Sequence, residues 1–476
     1  MRPLKQRCCQ SASGADNGRV TRPEPHVPRT PRTPRSPDVP PGDRRAAPAG
    51  GVNLPALRSH NAALVLDLLR GAGAAGISRI ELAEGTGLTP QAVSKIVGRL
   101  RAEGMAAEAG RRASTGGKPR TVLRLVPSAG YAVGLHLDRD ELTAVLLDLA
   151  GTRVAAHRAP LDLGAPAEEV VAAAAARVEA LLARAVPHGA GPPEDDGAPG
   201  TRPSGGPEPE PAGPAGRAAD AGAASARPGA ESAPGSAAPG TPGSAAATSA
   251  PGPRPWPRVL GVGVAMPGPL DHARGVPQRV TGHPHWDGYP LRDTLADRLG
   301  LPVVLDKDTN AAALGLALRG SGESFAYLHL GTGLGAGLVL GGALHRGART
   351  GAGEFGHQVL RLDGPVCDCG ERGCVEALCL AAVARGDTAE AARVLGTAAG
   401  NLVALLDIDR VMLGGRVVEA AGEEFVRGAA EVVARRGPVL VTSVPGAHTV
   451  AEGAAQLVLA PVFGRAPAAP AADPAG

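Results

Sequence analysis

The sequence predicts a multidomain chain with a small three-helix unit closed by a β-hairpin over residues 53–127 and a larger α/β unit over 130–464. Three observations carry this. Apolar residues near the N-terminus recur at helical spacing between capping signals. From Tyr131 onward, short apolar strands separated by Gly and Asp alternate with helical stretches. Two long tracts contain few large apolar side chains: residues 1–50 are rich in Pro and Arg, and 187–257 are almost entirely Pro, Gly, Ala and Ser. Neither tract can offset the backbone entropy of ordering, so both, with a short tail at 465–476, are predicted to be disordered. About 350 of the 476 residues remain to fold.

In the first unit, an amphipathic helix over Leu57 to Leu69 stops at the Gly-rich stretch 71–76. Ser78 and Glu81 form a Ser-x-x-Glu capping box that starts a second helix, which breaks at Gly85 to Gly87. Thr89 as N-cap and Pro90 at the first helical position open a third. Val93, Ile96, Val97 and Leu100 give that helix its core face, and Gln91, Ser94, Lys95 and Arg99 lie opposite. A strand at Met105 to Ala109, the turn GRRASTGGKPR and a strand at Thr121 to Leu125 make a hairpin whose tip carries Arg111, Arg112, Lys118 and Arg120. Three helices and a basic wing predict a winged helix-turn-helix that reads double-stranded DNA. Thr89, Gln91, Ser94, Lys95 and Arg99 would face base edges and phosphates, and the wing would face phosphates or a minor groove.

Charge supports this placement. The net charge of +3 excludes little by itself, but the stretch Asn53–Leu125 holds 11 Arg or Lys against 5 Asp or Glu. No apolar run approaches the length of a membrane span, and MRPLKQRCCQ lacks the apolar core of a secretory signal, so the expected location is the cytoplasm. Four of the six cysteines fall between 367 and 379, which in a reducing compartment favours metal over disulfide. Cys367, Cys369 and Cys374 with His357 make a closed tetrahedral set for structural Zn2+. Cys379 lies on an apolar helical stretch and reads as core, whereas Cys8 and Cys9 fall in the tail.

The α/β unit begins with YAVGLHLDRDELTAVLLDLAG, two strands turning at Asp138 to Glu141, followed by a helix over Ala167 to Val186 and, after the tract, the strand VLGVGVAMPG. Four of its stretches, GVGVAMPGPLD, LDKDTNAAALG, LGTGLGAGLVLGGALHRGARTGAGEFGH and CDCGERGCVEA, resemble the ROK family of repressors, open reading frames and sugar kinases. Within it the chain is similar to regulators of the xylose and N-acetylglucosamine type, over about residues 53–464 apart from the tract. The resemblance implies the two-lobed, ribonuclease H-like fold of actin-like sugar kinases. The first lobe would take 130–186 and 258–305, the second lobe with its zinc site 306–440, and a C-terminal return 441–464. It also implies a sugar site in which Asp308 matches the kinase base and Glu354, His357 and Glu376 match sugar-binding positions. Lys307 stands where the family carries Asn. It would pair with Asp308 and alter the site, or it would favour an anionic sugar such as a sugar phosphate.

Phosphoryl transfer needs ATP phosphates and magnesium held between glycine-rich turns. GTGLGAG and the pair Gly414, Gly415 resemble two of these turns. The family's Asp-x-Gly-Gly-Thr is replaced by Asp138, Arg139, Asp140, Glu141, and the added carboxylates are expected to repel a polyanion. The function expected is therefore a homodimeric, sugar-responsive transcriptional regulator, a repressor by family habit, with no catalytic residue. Its partners would be operator DNA and a sugar or sugar-phosphate effector. The alternative is an active ATP-dependent, glucokinase-like enzyme carrying a DNA-binding domain.

Overall fold

A computed structural model describes residues 54–112, 120–186, 256 and 258–465. The tracts expected to be disordered, apart from Trp256 and Arg465, lie outside the described residues, as do Lys118 and the side chain of Arg112. All described residues belong to one compact unit, Asn53–Gly476.

The N-terminal part runs α1 (Leu54–Ala72), β1 (Ile77–Ser78), α2 (Arg79–Thr86), α3 (Pro90–Ala102), β2 (Ala106–Arg112) and β3 (Arg120–Leu125). Its local chemistry is that of the expected caps. Ser78 N donates to Glu81 Oε2 at 2.8 Å while Glu81 N donates to Ser78 Oγ, closing the capping box. Thr89 Oγ1 accepts from Ala92 N at 3.2 Å ahead of Pro90. Gly87 ends α2 in the left-handed conformation at φ 67°, where a side chain would be strained. Val93, Val97 and Leu100 on α3 pack with Leu69, Leu82 and Leu123, and the three strands pair in the order β1-β3-β2.

The remainder holds two five-stranded sheets of the same topology. The first contains β4 (Tyr131–Leu137), β5 (Glu141–Asp148), β6 (Arg153–Pro160), β7 (Val259–Met266) and, after the small pair β8 (Leu270–Asp271) and β9 (Val276–Pro277), β10 (Val303–Lys307), in the order β10-β7-β4-β5-β6. The second contains β11 (Phe325–Leu330), β12 (Leu334–Leu340), β13 (Ala343–Leu344), β14 (Arg410–Gly414) and β15 (Leu440–Ser443), in the order β13-β12-β11-β14-β15. In both, three strands form an antiparallel meander and two more add in parallel beside its first strand. The sheets run a few residues past the expected lobe limits, through Lys307 and Ser443. The sequence reading missed β6, whose Arg- and Ala-rich stretch is a weak strand former held at the sheet edge by pairing to β5.

Helices cover the outer faces. Over the first sheet lie α4 (Ala167–Ala185) and α5 (Leu291–Leu299), and over the second α7 (Val375–Ala384), α8 (Thr388–Leu406) and α10 (Gly422–Val433). Between the sheets pack α6 (Asp308–Leu318) and α11 (Thr449–Leu459). Glycine makes that packing close: a Cβ at Gly453 would overlap the Ala311 carbonyl, and Cβ atoms at Gly134 and Gly263 would overlap the carbonyls of Ala451 and Ala454. The chain leaves α11 through Phe463 into the N-terminal part. There Leu459 and Phe463 share a core with Val65 and Leu69, the Arg70 guanidinium sits 4.2 Å over the Phe463 ring, and Arg465 grips Asp67 with two hydrogen bonds of 2.7 and 2.6 Å. Among the described residues, no helix is long and apolar enough to cross a membrane.

Candidate functional site

The cleft between the sheets collects residues from the ends of strands and the starts of helices. Asp308 opens α6 directly after β10, and Asp138 and Arg139 form the turn between β4 and β5. The hairpin between β11 and β12 supplies Thr332 to Gly335, and Glu354, His357 and Glu376 arrive from the loop and helix beyond. One cavity is lined by Asp138, Arg139, Lys307, Asp308, Glu354, His357 and Glu376 together. Residues from Asp138 to Glu376 thus meet at one place.

Asp308 is half-buried at the cavity wall, with Oδ1 accepting from Thr309 N at 2.6 Å. Desolvation pushes its carboxyl up to about 7 against the opposing pull of the Lys307 ammonium. The group thus exchanges its proton near neutrality. Lys307 does not take Asp308 as its hydrogen-bonding partner: its Nζ donates to the Ala352 carbonyl at 2.7 Å and to Glu354 Oε1 at 3.2 Å, and its side chain is only 5 % exposed. Two glycines make room for it, since a Cβ at Gly268 would come 2.7 Å from Lys307 Cδ and one at Gly353 2.9 Å from Nζ. Glu376, in the first turn of α7, is buried and accepts from Leu334 N at 2.7 Å, which fixes the glycine-rich hairpin over the cleft. A residue the sequence reading passed over anchors the same corner. Buried Asp306 accepts from Asn310 Nδ2 at 2.9 Å and from Arg346 Nε and NH2 at 2.8 and 2.7 Å. Only a carboxylate two residues before a helix hinted at it in the sequence.

His357, Cys367, Cys369 and Cys374 place their ligand atoms within 4.8 Å of one another. Cys367 Sγ lies 3.6 Å from His357 Nδ1 and Cys369 Sγ 3.7 Å from Cys374 Sγ. Ligands about 2.3 Å from a tetrahedral zinc stand roughly 3.8 Å apart, so donor set and spacing both fit that ion. Burial pushes the Cys374 thiol up to about 12, and a dication would displace such protons on binding. A metal here would fix the loop that carries Glu371 and Arg372 and hold the His357 ring against the cavity. Cys379 is buried in the second-lobe core, as its apolar stretch suggested.

The turn at Asp138 corrects one expectation. Asp140 and Glu141 do not present bare carboxylates: Arg416, at the start of α9 (Arg416–Ala420) in the other lobe, binds Asp140 at 2.9 and 2.8 Å, and Arg158 pairs with Glu141 at 3.0 Å. Asp140 finds its cation 276 positions away, and Glu141 finds its own on the neighbouring strand. Asp138 Oδ1 meanwhile accepts from Thr332 Oγ1 at 2.9 Å, and Arg416 lies 3.7 Å from its other oxygen. Arg416 thus ties the Asp138 turn to the other lobe through Asp138 and Asp140, so the turn's acids are ion-paired and not bare. Close by, half-buried His329, bonded to Tyr327 Oη at 3.0 Å, is held down to about 4 by desolvation, and His136 meets it edge-on.

On the N-terminal part, Gln91, Ser94, Lys95 and Arg99 are exposed along one side of α3, and Thr89 lies exposed at its start. Arg99 is 3.7 Å from Glu103. Arg111 and Arg120 are exposed on the hairpin strands.

Residues 253–385 match the model of the ROK family. The chain is 42 % identical to a glucokinase of Thermotoga maritima over 128 residues, 26 % of this chain and 40 % of that one. It is 25 % identical to the xylose repressor of Bacillus subtilis over 303 residues, 63 % of this chain and 61 % of the repressor. These matches thus span less than two thirds of either relative. A solved ROK family transcriptional regulator, homologous to the E. coli MLC protein, superposes with a TM-score of 0.60 at 18 % identity, covering 86 % of this chain and 97 % of that one. That likeness shows the fold.

Proposed function

Starting from a chain that carries a ROK family domain, we propose that it is a sugar-responsive, DNA-binding transcriptional regulator, a repressor that binds its operator as a homodimer and whose cleft senses a sugar without phosphorylating it. The observation that carries the reading is the coexistence, in one compact unit, of an exposed polar and basic α3 face beside a hairpin and a carboxylate-lined cleft bordered by Arg139, in a turn whose Asp140 is paired with Arg416. The N-terminal part is read as a winged helix-turn-helix, with Thr89, Gln91, Ser94, Lys95, Arg99, Arg111, Arg112, Lys118 and Arg120 toward DNA. Carboxylates and an imidazole suit the fixed hydroxyl directions of a sugar ring, and Asp308, Glu354, His357 and Glu376 supply them. Zinc on His357, Cys367, Cys369 and Cys374 would serve structure only. The cytoplasm follows as the place where operator and sugar meet.

The competing reading is an ATP-dependent sugar kinase with a DNA-binding appendage. One observation favours it: Asp308, at about 7, is poised as a general base. Against it, nucleotide phosphates require backbone N–H groups laid open by glycine, and this turn carries side chains instead, Asp140 among them hydrogen-bonded to Arg416. A coupled assay of ADP release over a hexose panel separates the two. The regulator reading expects no sugar-dependent turnover, and sustained turnover would make the protein an enzyme.

A further inference from the structure

Two cations border the cleft cavity, Arg139 and Lys307, and they are used differently. Lys307 is already satisfied by the Ala352 carbonyl and Glu354. Arg139 is not. Its side chain is three-quarters covered, at 25 % exposure, yet its nearest carboxylate is Asp368 at 4.0 Å, an acid that is itself 76 % exposed. The guanidinium lies over the glycine-rich hairpin, where a Cβ on Gly333 would come 3.6 Å from its NH2. Covering so much of a guanidinium without a close acceptor is unfavourable unless water or a ligand provides one.

The carboxylates around it take their hydrogen bonds from other donors and keep their charge. Asp138 receives Thr332 and the Arg139 N–H, Glu354 receives Lys307, and Glu376 receives Leu334 N. Asp308, at about 7, carries only part of a charge near neutrality. Among the described residues, Arg139 is therefore the cleft cation whose guanidinium donors have no close acceptor, with Asp368 at 4.0 Å its nearest carboxylate, and it borders the same cavity as Asp308.

Resting on the reading of the cleft as a sugar site, we propose that its ligand is a sugar bearing an anionic substituent, a phosphate ester or a carboxylate, received by the Arg139 guanidinium. A neutral sugar has hydroxyls for Asp308 and Glu376 but leaves the cation unpaired. A phosphate or carboxylate presents two oxygens to the planar fork and pairs with it in two parallel hydrogen bonds. Lys307 then acts as a strut that holds Glu354 and the 352–354 loop, not as the anion contact.

The test is calorimetric titration of the full-length, zinc-supplemented protein with matched sets: glucose, glucose 6-phosphate and glucuronate, the same triplets for mannose and galactose, and inorganic phosphate. In at least one set an anionic member is expected to bind roughly tenfold or more tightly than its neutral parent. The phosphate and uronate arms identify which substituent is meant. Arg139→Gln should bring the ratio of anionic to neutral affinity to near one, and Arg139→Lys, which keeps the charge without the fork, should retain part of the preference. Neutral sugars binding as tightly as both anionic forms, or a preference that survives Arg139→Gln, would overturn the assignment while leaving the sugar-sensor reading intact. Inorganic phosphate binding as tightly as every sugar phosphate would overturn it too. Absence of binding by every sugar would remove both.

Discussion

Asp308 joins burial to a measurable pH dependence. Its carboxyl sits near 4 in the unfolded chain and about 7 in the folded one, so between those values the native state holds a proton that the unfolded state has released. Stability should therefore fall as pH rises through this window. Asp308→Asn should flatten that fall and melt higher than the parent at pH 8, as thermal unfolding across pH would show; identical profiles would mean the carboxyl is not desolvated. On α3, exposed Lys95 makes no contact that folding needs, so Lys95→Ala should leave the melting temperature alone and weaken DNA binding roughly tenfold, with a shallower salt dependence. Unchanged affinity in a gel-shift titration would remove Lys95 from the interface. At this scale, legibility followed sequence distance. Ser78, Glu81, Thr89 and Pro90 were readable because a cap is decided within four residues, and the cysteines because their ligand atoms come from one short loop plus His357. The partner of Lys307 was not, because Glu354 is 47 positions away, nor was Arg416, which meets Asp140 across 276.

Elements add what single residues cannot. The metal loop has a narrow support, since four ligands hold a stretch with few buried apolar residues of its own. Cys369→Ser should lose bound zinc, measured by atomic absorption, and lower the melting temperature; a variant with full zinc content would show that the ligand set is wrong. Where α6 and α11 cross, Gly453 touches the Ala311 carbonyl so closely that Gly453→Val must force the helices apart, costing on the order of 2–4 kcal/mol in denaturant unfolding. A neutral result there would mean the helices are not packed as described. The element pattern itself was largely legible, since apolar strands broken by Gly and Asp mark β4, β5 and β7. The edge strand β6 escaped because its Ala and Arg side chains carry little strand signal. Its place comes from pairing with β5, a tertiary fact.

For the whole molecule, the arrangement suggests how a cleft event reaches DNA. Asp308 begins α6, α6 packs on α11 through glycine, and α11 runs into Phe463 and Arg465, which hold α1 through Arg70 and Asp67. Ligand and DNA are coupled only if each prefers a different arrangement of this chain of contacts. Arg465→Ala, which removes two exposed hydrogen bonds, should barely change stability yet alter the response of DNA affinity to ligand. None of this route was legible in the sequence, where its parts lie some 400 positions apart. The most direct measurement selects a binding site from genomic fragments with the full-length protein and titrates that site with and without the neutral and anionic sugars. The account predicts at least a roughly tenfold change in DNA affinity with one of them. Tight DNA binding that no sugar alters, or no selected DNA at all, would contradict it.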